Sequence, residues 1–113
     1  MSNIQDVLPK INKSRVTLDQ VDNTSNDVSF DLGVTNFFKS TPTGAFTLTF
    51  TNFTSGRSGI IILDNTGGHA PSSAANVKAD ADFLITVSAA GIYQLGYIAD
   101  GTNVYITYSK ALV

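Results

Sequence analysis

Aspartates are the residues of this chain whose types and spacing could do chemistry. Asp80 and Asp82 lie two positions apart, while Asp64 and Asp100 fall in other loops of the sequence. Two carboxylates on one face of a strand could serve as the acid and base of a glycosidase or could hold calcium. Aspartate before a strand or in a hairpin is also ordinary turn chemistry. The turn role is the simpler explanation, so we expect no acid–base pair and no metal site here.

The histidine and the charged turn residues add little chemistry. His69 lies in a Gly-Gly-His-Ala-Pro loop, where an imidazole could sense pH or contact a ligand. It has no partner in sequence for a nucleophilic triad. The turn at 55–59 matches neither a nucleophile elbow nor a phosphate loop. Arg57 within it is either a charged turn tip or a bridge between subunits. We therefore expect no enzyme and no cofactor.

Length and composition narrow the class of protein. A chain of 113 residues corresponds to one domain, and the absence of cysteine excludes disulfides and thiolate metal sites. The net charge of -2 argues against nucleic acid as a partner, because phosphate binding needs a basic surface. No apolar run reaches the length of a membrane span, and residues 1–10 lack a signal-peptide pattern. We expect synthesis in the cytoplasm and no membrane partner.

The strongest structural pattern is the alternation of apolar and hydroxylated residues at 45–53. Phe46, Leu48 and Phe50 alternate with three threonines, and a strand sends successive side chains to opposite faces. Similar alternation recurs to the end of the chain, and all nine acids are aspartate, a turn-favouring residue. The sequence therefore predicts an all-β protein.

Turn signals divide the chain into about seven or eight strands, which indicates an antiparallel jelly-roll-like sandwich or barrel. The run at 60–63 is typical of a strand buried on both faces, and 64–76 is predicted to be a long loop. We find no internal repeat in the sequence. The predicted strands are 15–21, 28–32, 35–38, 45–53, 60–63, 82–88, 92–99 and 104–109.

Residues 1–26 are predicted to form an N-terminal arm, and 27–113 a β-sandwich domain. The arm is polar and Asn-rich, with aliphatic residues at helical spacing that Pro9 interrupts. It also holds three of the seven basic residues. It is either a solvated tail or an arm that docks on a partner. The residues that would make the docking contact are Ile4, Val7, Leu8, Lys10, Ile11, Lys13 and Arg15.

The tyrosines concentrate in the last two predicted strands. Tyr93 and Tyr97 share one face of their strand, whereas Ile92 and Ile98 share the other. Because a monomer has only one core to fill, two apolar faces suggest that another chain covers one of them. The alternatives are an exposed aromatic platform for sugars and simple packing at the sheet edge. The predicted subunit interface consists of Arg57, Tyr93, Tyr97, Tyr105 and Tyr108.

The region 30–108 resembles a small β domain of bacteriophage virion proteins. The resembling pieces follow one another along the chain. They are Phe46-x-Leu-x-Phe-x-Asn-Phe, Gly56-Arg57-x-Gly59, Ile60-Ile61-Ile62-Leu63, Asn65-x-Gly67-Gly68 and Asp100-Gly101-Thr102-Asn103-x-Tyr105. Domains of this kind occur in tail fibres, head fibres and capsid decoration proteins.

The resemblance implies a homotrimer on a virion. A short chain that begins with its own methionine fits a capsid decoration (cement) protein better than a fibre tip that needs a long shaft. Such a protein would bind the major capsid protein on the outer shell and stabilise contacts between capsomers. The alternative is a tail-fibre or head-fibre domain that binds a host-surface receptor or glycan.

Overall fold

The computed structural model of this protein describes residues 21–23 and 27–112, and these residues are mostly β-structure. They form nine strands and one short helix, which confirms the all-β class. The predicted strand 15–21 and the arm residues lie almost entirely outside the described ranges. The elements are β1 (Val21–Asn23), β2 (Asp27–Asp31), β3 (Phe37–Ser40), β4 (Phe46–Thr51), β5 (Ser58–Asn65), β6 (Pro71–Ser73), β7 (Val77–Lys78), α1 (Phe83–Ser88), β8 (Gly91–Ala99) and β9 (Val104–Tyr108).

The strands form two sheets, and the first six strands alternate between them. Sheet A has the order β1-β3-β5-β8-β9-β7, and sheet B has the order β2-β4-β6. Each strand from β3 to β6 therefore pairs with the strand two before it, and all of these pairs are parallel. Parallel neighbours need a long return connection, and here the strand in the opposite sheet provides it.

This connectivity makes the first six strands a solenoid of stacked coils. Phe38 aligns with Ile61 in sheet A, and Phe30 aligns with Phe50 in sheet B, so one coil takes roughly 20 residues, at the short end of solenoid repeats. A jelly roll is antiparallel, and the predicted antiparallel pairing is wrong for these strands. Among the named strands of the described residues, the antiparallel pairs are those of β8 with β5 and with β9. The repeat cannot be recognised in the sequence because the coils differ from one another in length and in residue type.

Strand β4 confirms the alternation that predicted it. Phe46, Leu48 and Phe50 are buried, and the threonines between them point away from the core. The neighbouring apolar run in β5 behaves differently from its prediction. Ile61 and Leu63 are fully buried, but Ile60 is 41% exposed. The run is therefore buried on one face only, because sheet A has sheet B on one side.

Aromatic rings join the two sheets at the centre of the core. Phe30 of sheet B meets Phe38 of sheet A edge-on, with ring centroids 5.1 Å apart. Phe50 and Tyr97 repeat this pairing of opposite sheets at 6.1 Å. Such tilted and edge-on contacts add roughly 0.5–1.5 kcal/mol each beyond the burial of the ring surface. These four residues hold the sheets face to face.

Helix α1 replaces a predicted strand at 82–88. A strand would have turned Phe83, Ile85 and Val87 inward together, whereas the helix buries Phe83 and Val87 and leaves Ile85 72% exposed. Phe83 and Val87 are four positions apart and so share a helical face. A short apolar run can fit both the two-residue spacing of a strand and the four-residue spacing of a helix, so periodicity alone does not assign it. Here tertiary packing favours the helix.

The predicted loop at 64–76 contains the end of β5, strand β6 and a buried asparagine. Asn65 has no exposed surface. Its Nδ2 donates to the backbone oxygens of His69, at 3.0 Å, and of Val87, at 2.8 Å. Its Oδ1 accepts from the backbone N–H of His69 at 2.9 Å. One side chain thus ties the end of β5 to the following loop and to α1.

Replacing Asn65 by alanine is expected to lower the free energy of unfolding by about 3 kcal/mol. Three hydrogen bonds disappear, and buried backbone groups lose their partner. Chemical denaturation monitored by circular dichroism measures the change. The neighbouring exposed residue provides the control, since Thr66→Ala should change the value by less than about 0.5 kcal/mol. Equal effects of the two substitutions would contradict the role given to Asn65.

Candidate functional site

The outer face of sheet A, the side turned away from sheet B, carries most of the exposed apolar surface. In the described ranges six large apolar side chains are exposed, and four of them lie on this face: Ile60 (41%), Ile98 (53%), Tyr105 (42%) and Leu112 (49%). Contiguous exposed apolar surface on a soluble protein marks an interaction site. We call this surface the isoleucine face; its members are Phe37, Ile60, Ile62, Ile92, Ile98, Tyr105 and Leu112.

Strand register brings the members of the isoleucine face together. Ile98 lies opposite Tyr105 on β9, and Ile60 lies opposite Phe37 on β3. Leu112 reaches the face through an isolated antiparallel bridge to Ile92. Residues directly opposite one another across a strand pair have Cβ atoms close enough for contact. The members therefore lie on one face across β3, β5, β8 and β9, with the exposed Gln94 opposite Ile62.

A glycine lies at the middle of this face. Gly96 of β8 is opposite Ile60 on one side and Thr107 on the other. A Cβ atom at this position would lie 2.8 Å from the Thr107 Oγ1, which is closer than van der Waals contact. The Thr107 hydroxyl therefore lies where a side chain on Gly96 would need room, which accounts for the glycine at this position.

Charged residues lie around the isoleucine face rather than inside it. Lys39 aligns with Asp22 on one side and Ile62 on the other. Lys78 aligns with Tyr105 at the opposite edge, and Asp64 aligns with Ile92. An apolar centre with a charged border is the usual anatomy of a protein–protein interface.

The outer face of sheet B has the opposite character. Thr47, Thr49 and Thr51 occupy its central strand, with Ser29 and Ser72 on either side. The Thr47 and Ser72 hydroxyls hydrogen-bond each other at 2.7 Å. Hydroxyls suit a surface that stays in water. Of the two outer faces, only that of sheet A is built for contact with another apolar surface.

The predicted tyrosine interface is corrected at two positions. Tyr93 and Tyr97 are 1% and 4% exposed and lie in this chain's own core. Burial raises the pKa of Tyr97 to about 12, and the Tyr93 hydroxyl donates to the backbone oxygen of Ala89. The prediction that β8 has two apolar faces is confirmed. The tyrosines form its inner face, and Ile92 and Ile98 lie on its outer face.

The other three predicted interface residues, Tyr105, Tyr108 and Arg57, lie in different parts of the structure. Tyr105 is a member of the isoleucine face, and its hydroxyl donates to the Asp100 carboxylate at 2.9 Å. Tyr108 lies on the core side, where its ring packs on Phe83 with centroids 5.1 Å apart. Arg57 lies in an exposed turn, where its backbone oxygen accepts from the Ala99 backbone N–H at 2.8 Å. Tyr105 thus remains a candidate interface residue together with the isoleucines, which the sequence analysis did not select.

Arg57 belongs to a polar cluster that joins two turns. Its Nη1 donates to the Asn52 backbone oxygen at 2.7 Å. The Asp31 Oδ1 accepts from the Asn52 Nδ2 at 2.7 Å and from the Gly33 backbone N–H at 2.9 Å. These two bonds, with the Arg57 charge, lower the pKa of Asp31. Asn52 adopts a positive φ of 54°, which asparagine tolerates. The cluster stabilises the corner where β2 and β4 end.

The residues weighed for chemistry have structural roles. The Asp80 Oδ1 accepts from the Asp82 backbone N–H at 2.9 Å and from the Tyr108 hydroxyl at 2.6 Å. The Asp100 Oδ1 accepts from two backbone N–H groups of the β8–β9 turn. His69 is held through its backbone by Asn65. Within 21–23 and 27–112, no three such side chains come together as a metal site.

Comparison of the chain with protein-family models, with curated proteins and with solved structures found no match. The resemblance to phage virion domains therefore stays a prediction. The predicted arm contacts at Ile4, Val7, Leu8, Lys10, Ile11, Lys13 and Arg15 fall outside the residues that the structure describes. Helical structure in the described ranges amounts to the six residues of α1, which cannot span a bilayer.

The lowered pKa of Asp31 predicts an acid-sensitive contribution to stability. A carboxyl whose folded pKa lies below its unfolded value of about 3.9 stabilises fully above that value. This stabilisation is lost as the pH falls through the folded pKa. The difference in unfolding free energy between the native chain and Asp31→Asn should therefore shrink from about pH 5 downward. Urea unfolding at a series of pH values measures it.

A difference for Asp31→Asn that stays constant from pH 7 to the acid limit would contradict the cluster described for this corner.

Proposed function

We propose that this protein is a structural protein of a bacteriophage virion, a homotrimeric capsid decoration protein whose subunits associate through the isoleucine face. The observation that carries the proposal is the concentration of exposed Ile60, Ile98, Tyr105 and Leu112 on one side of one sheet. The hydrogen bonds that hold Asp80 and Asp100 in turns support a structural rather than an enzymatic role. The trimer and the shell as partner follow from the resemblance to virion domains.

The free energies of burial and association support weak association of the free subunits, which would become complete on the capsid shell. Full burial of a large apolar side chain contributes about 1.5–3 kcal/mol. The four exposed members are about half covered already, so burial of the face contributes roughly 4 kcal/mol per subunit and roughly 12 kcal/mol in a trimer. Association costs an estimated 4–15 kcal/mol. The isoleucine face is therefore sufficient for weak self-association, and contacts with the major capsid protein would raise the effective concentration of the subunits.

In this arrangement the body lies on the outer surface of the capsid and links neighbouring capsomers. The arm, with its aliphatic residues and the basic Lys10, Lys13 and Arg15, makes the contact with the major capsid protein. The hydroxylated outer face of sheet B remains in water. Neither nucleic acid nor a membrane takes part.

Substitution within the isoleucine face tests the association. Ile98→Lys should abolish concentration-dependent oligomers in sedimentation analysis, because the contact would then bury an ammonium group without a partner. Ile85→Lys is the matched control, since Ile85 is more exposed, at 72%, but lies on α1 outside the face. Circular dichroism should show the same fold for both variants. Oligomers unaffected by Ile98→Lys, or a native chain that is monomeric at all concentrations and on capsids, would overturn the proposal.

A fibre domain is the second candidate, and the solenoid favours it. Coils that stack along one axis can continue a fibre shaft, whereas a closed sandwich cannot. In that case the domain would contribute to a tail fibre or head fibre and contact a host receptor or glycan. Labelling intact virions with an antibody against this protein distinguishes the candidates, because label over the capsid supports decoration and label on fibres supports the alternative.

A further inference from the structure

The turn between β8 and β9 contains a peptide link with a reactivity of its own. Asp100 is the only one of the nine aspartates that glycine follows, and no asparagine of the chain is followed by glycine. In an Asp–Gly link the carboxyl carbon lies next to the following backbone nitrogen, and glycine has no Cβ atom to hinder their approach. Attack of this nitrogen on this carbon is the first step of aspartate isomerisation.

The turn leaves the Asp100–Gly101 link open to water. Asp100, Gly101 and Thr102 are all exposed. Gly101 has a φ of 90°, which glycine adopts without strain. The atom nearest to a Cβ built on Gly101 is the Ser55 backbone nitrogen, at 3.7 Å, so nothing presses on the link. Water, which the reaction releases and then takes up, therefore reaches it freely.

Three donors hold the Asp100 carboxylate. Its Oδ1 accepts from the backbone N–H groups of Thr102, at 2.9 Å, and of Asn103, at 2.6 Å. Its Oδ2 accepts from the Tyr105 hydroxyl at 2.9 Å. The Asn103 and Thr102 donors, followed by the Tyr105 hydroxyl, lower the pKa of Asp100. An ionised carboxylate reacts poorly with an amide nitrogen, because it must take up a proton before one of its oxygens can leave as water.

We propose that Asp100–Gly101 is a site of spontaneous aspartate isomerisation and that the Tyr105 hydroxyl slows the reaction. The Gly101 nitrogen bonds to the Asp100 Cγ and gives up its proton, and one carboxyl oxygen leaves as water, which closes a succinimide ring. Water then opens the ring. Addition at Cγ restores aspartate, whereas addition at the backbone carbonyl carbon of Asp100 leaves isoaspartate. One water is released and one is taken up, so the mass of the chain does not change.

Tyr105 is the donor through which the rate can be altered by a single side chain. Attack requires the carboxyl to turn its carbon toward the Gly101 nitrogen and to lose one oxygen. Hydrogen bonds to both carboxylate oxygens therefore stabilise the unreacted state, and those to a charged group are the stronger ones. The two backbone donors belong to the turn itself, whereas the Tyr105 hydroxyl can be removed while its ring is kept.

Isomerisation would change the connection between β8 and β9. Isoaspartate continues the backbone through its Cβ atom, so the turn gains one backbone atom. Because the turn sets the register of a hairpin, the pairing of Ile98 with Tyr105 beside it would be disturbed. The modification site does not depend on the virion role. If the isoleucine face does associate, isoaspartate at residue 100 would weaken that association as the protein ages.

Storage of the full chain at mildly acidic pH tests the proposal. Isoaspartate at residue 100 is measured by chromatography and electron-based fragmentation of proteolytic peptides, and the chain unfolded in guanidinium chloride gives the rate without the turn. The folded native chain should form isoaspartate more slowly than the unfolded chain. Folded Tyr105→Phe should form it about threefold faster than the folded native chain, near the lower end of what one hydrogen bond contributes.

Tyr108→Phe is the matched control, since the Tyr108 hydroxyl bonds to Asp80, which alanine follows. This variant should isomerise at Asp100 at the native rate. In denaturant all three chains should react equally, and circular dichroism should show one fold for them without denaturant. An unchanged rate in folded Tyr105→Phe would overturn the proposal. So would equal rates at Asp100 in the folded and unfolded native chain, or no isoaspartate there in the unfolded chain.

Discussion

Burial of one apolar face per strand is the constraint on which this structure depends. Each strand has a single run of inward side chains, and that run leaves water only if a second sheet lies opposite. Phe30 and Phe50 from sheet B meet Phe38 and Tyr97 from sheet A at the centre. Because successive strands alternate between the sheets, each coil contributes to both sides of the same core. Parallel pairing within each sheet follows from that alternation.

The change from parallel to antiparallel pairing ends the solenoid. A short turn at 100–103 joins β8 to β9, so the chain returns within sheet A without passing through sheet B. Only antiparallel strands can be connected this briefly. The segment before β8 forms α1, which covers the end of sheet B, and Asn65 bonds this helix to the loop after β5. The last coil is thereby covered by α1 and β8.

The outer faces of the two sheets suit different surroundings. Threonine and serine cover sheet B, whereas isoleucine is concentrated on sheet A. A face with Ile60 and Ile98 around the side-chain-free Gly96 gains from being covered by another apolar surface. The polar corner formed by Asp31, Asn52 and Arg57 joins neighbouring turns and stabilises the body. The stabilising corner and the face proposed for association thus consist of different residues, so each can be altered while the other is kept.

By itself the sequence determined the elements that depend on residues close together in the chain. Alternation at 46–51 identifies β4 and its inward phenylalanines, and the turn after Ala99 identifies the β8–β9 hairpin. Which strand lies beside which is decided by contacts between residues far apart in the chain, so parallel order and the solenoid appear only in the tertiary structure. The same holds for the helix at 83–88 and for the outer position of Ile98. A period of two separates the faces of a strand, but only packing against the opposite sheet selects the face that is buried.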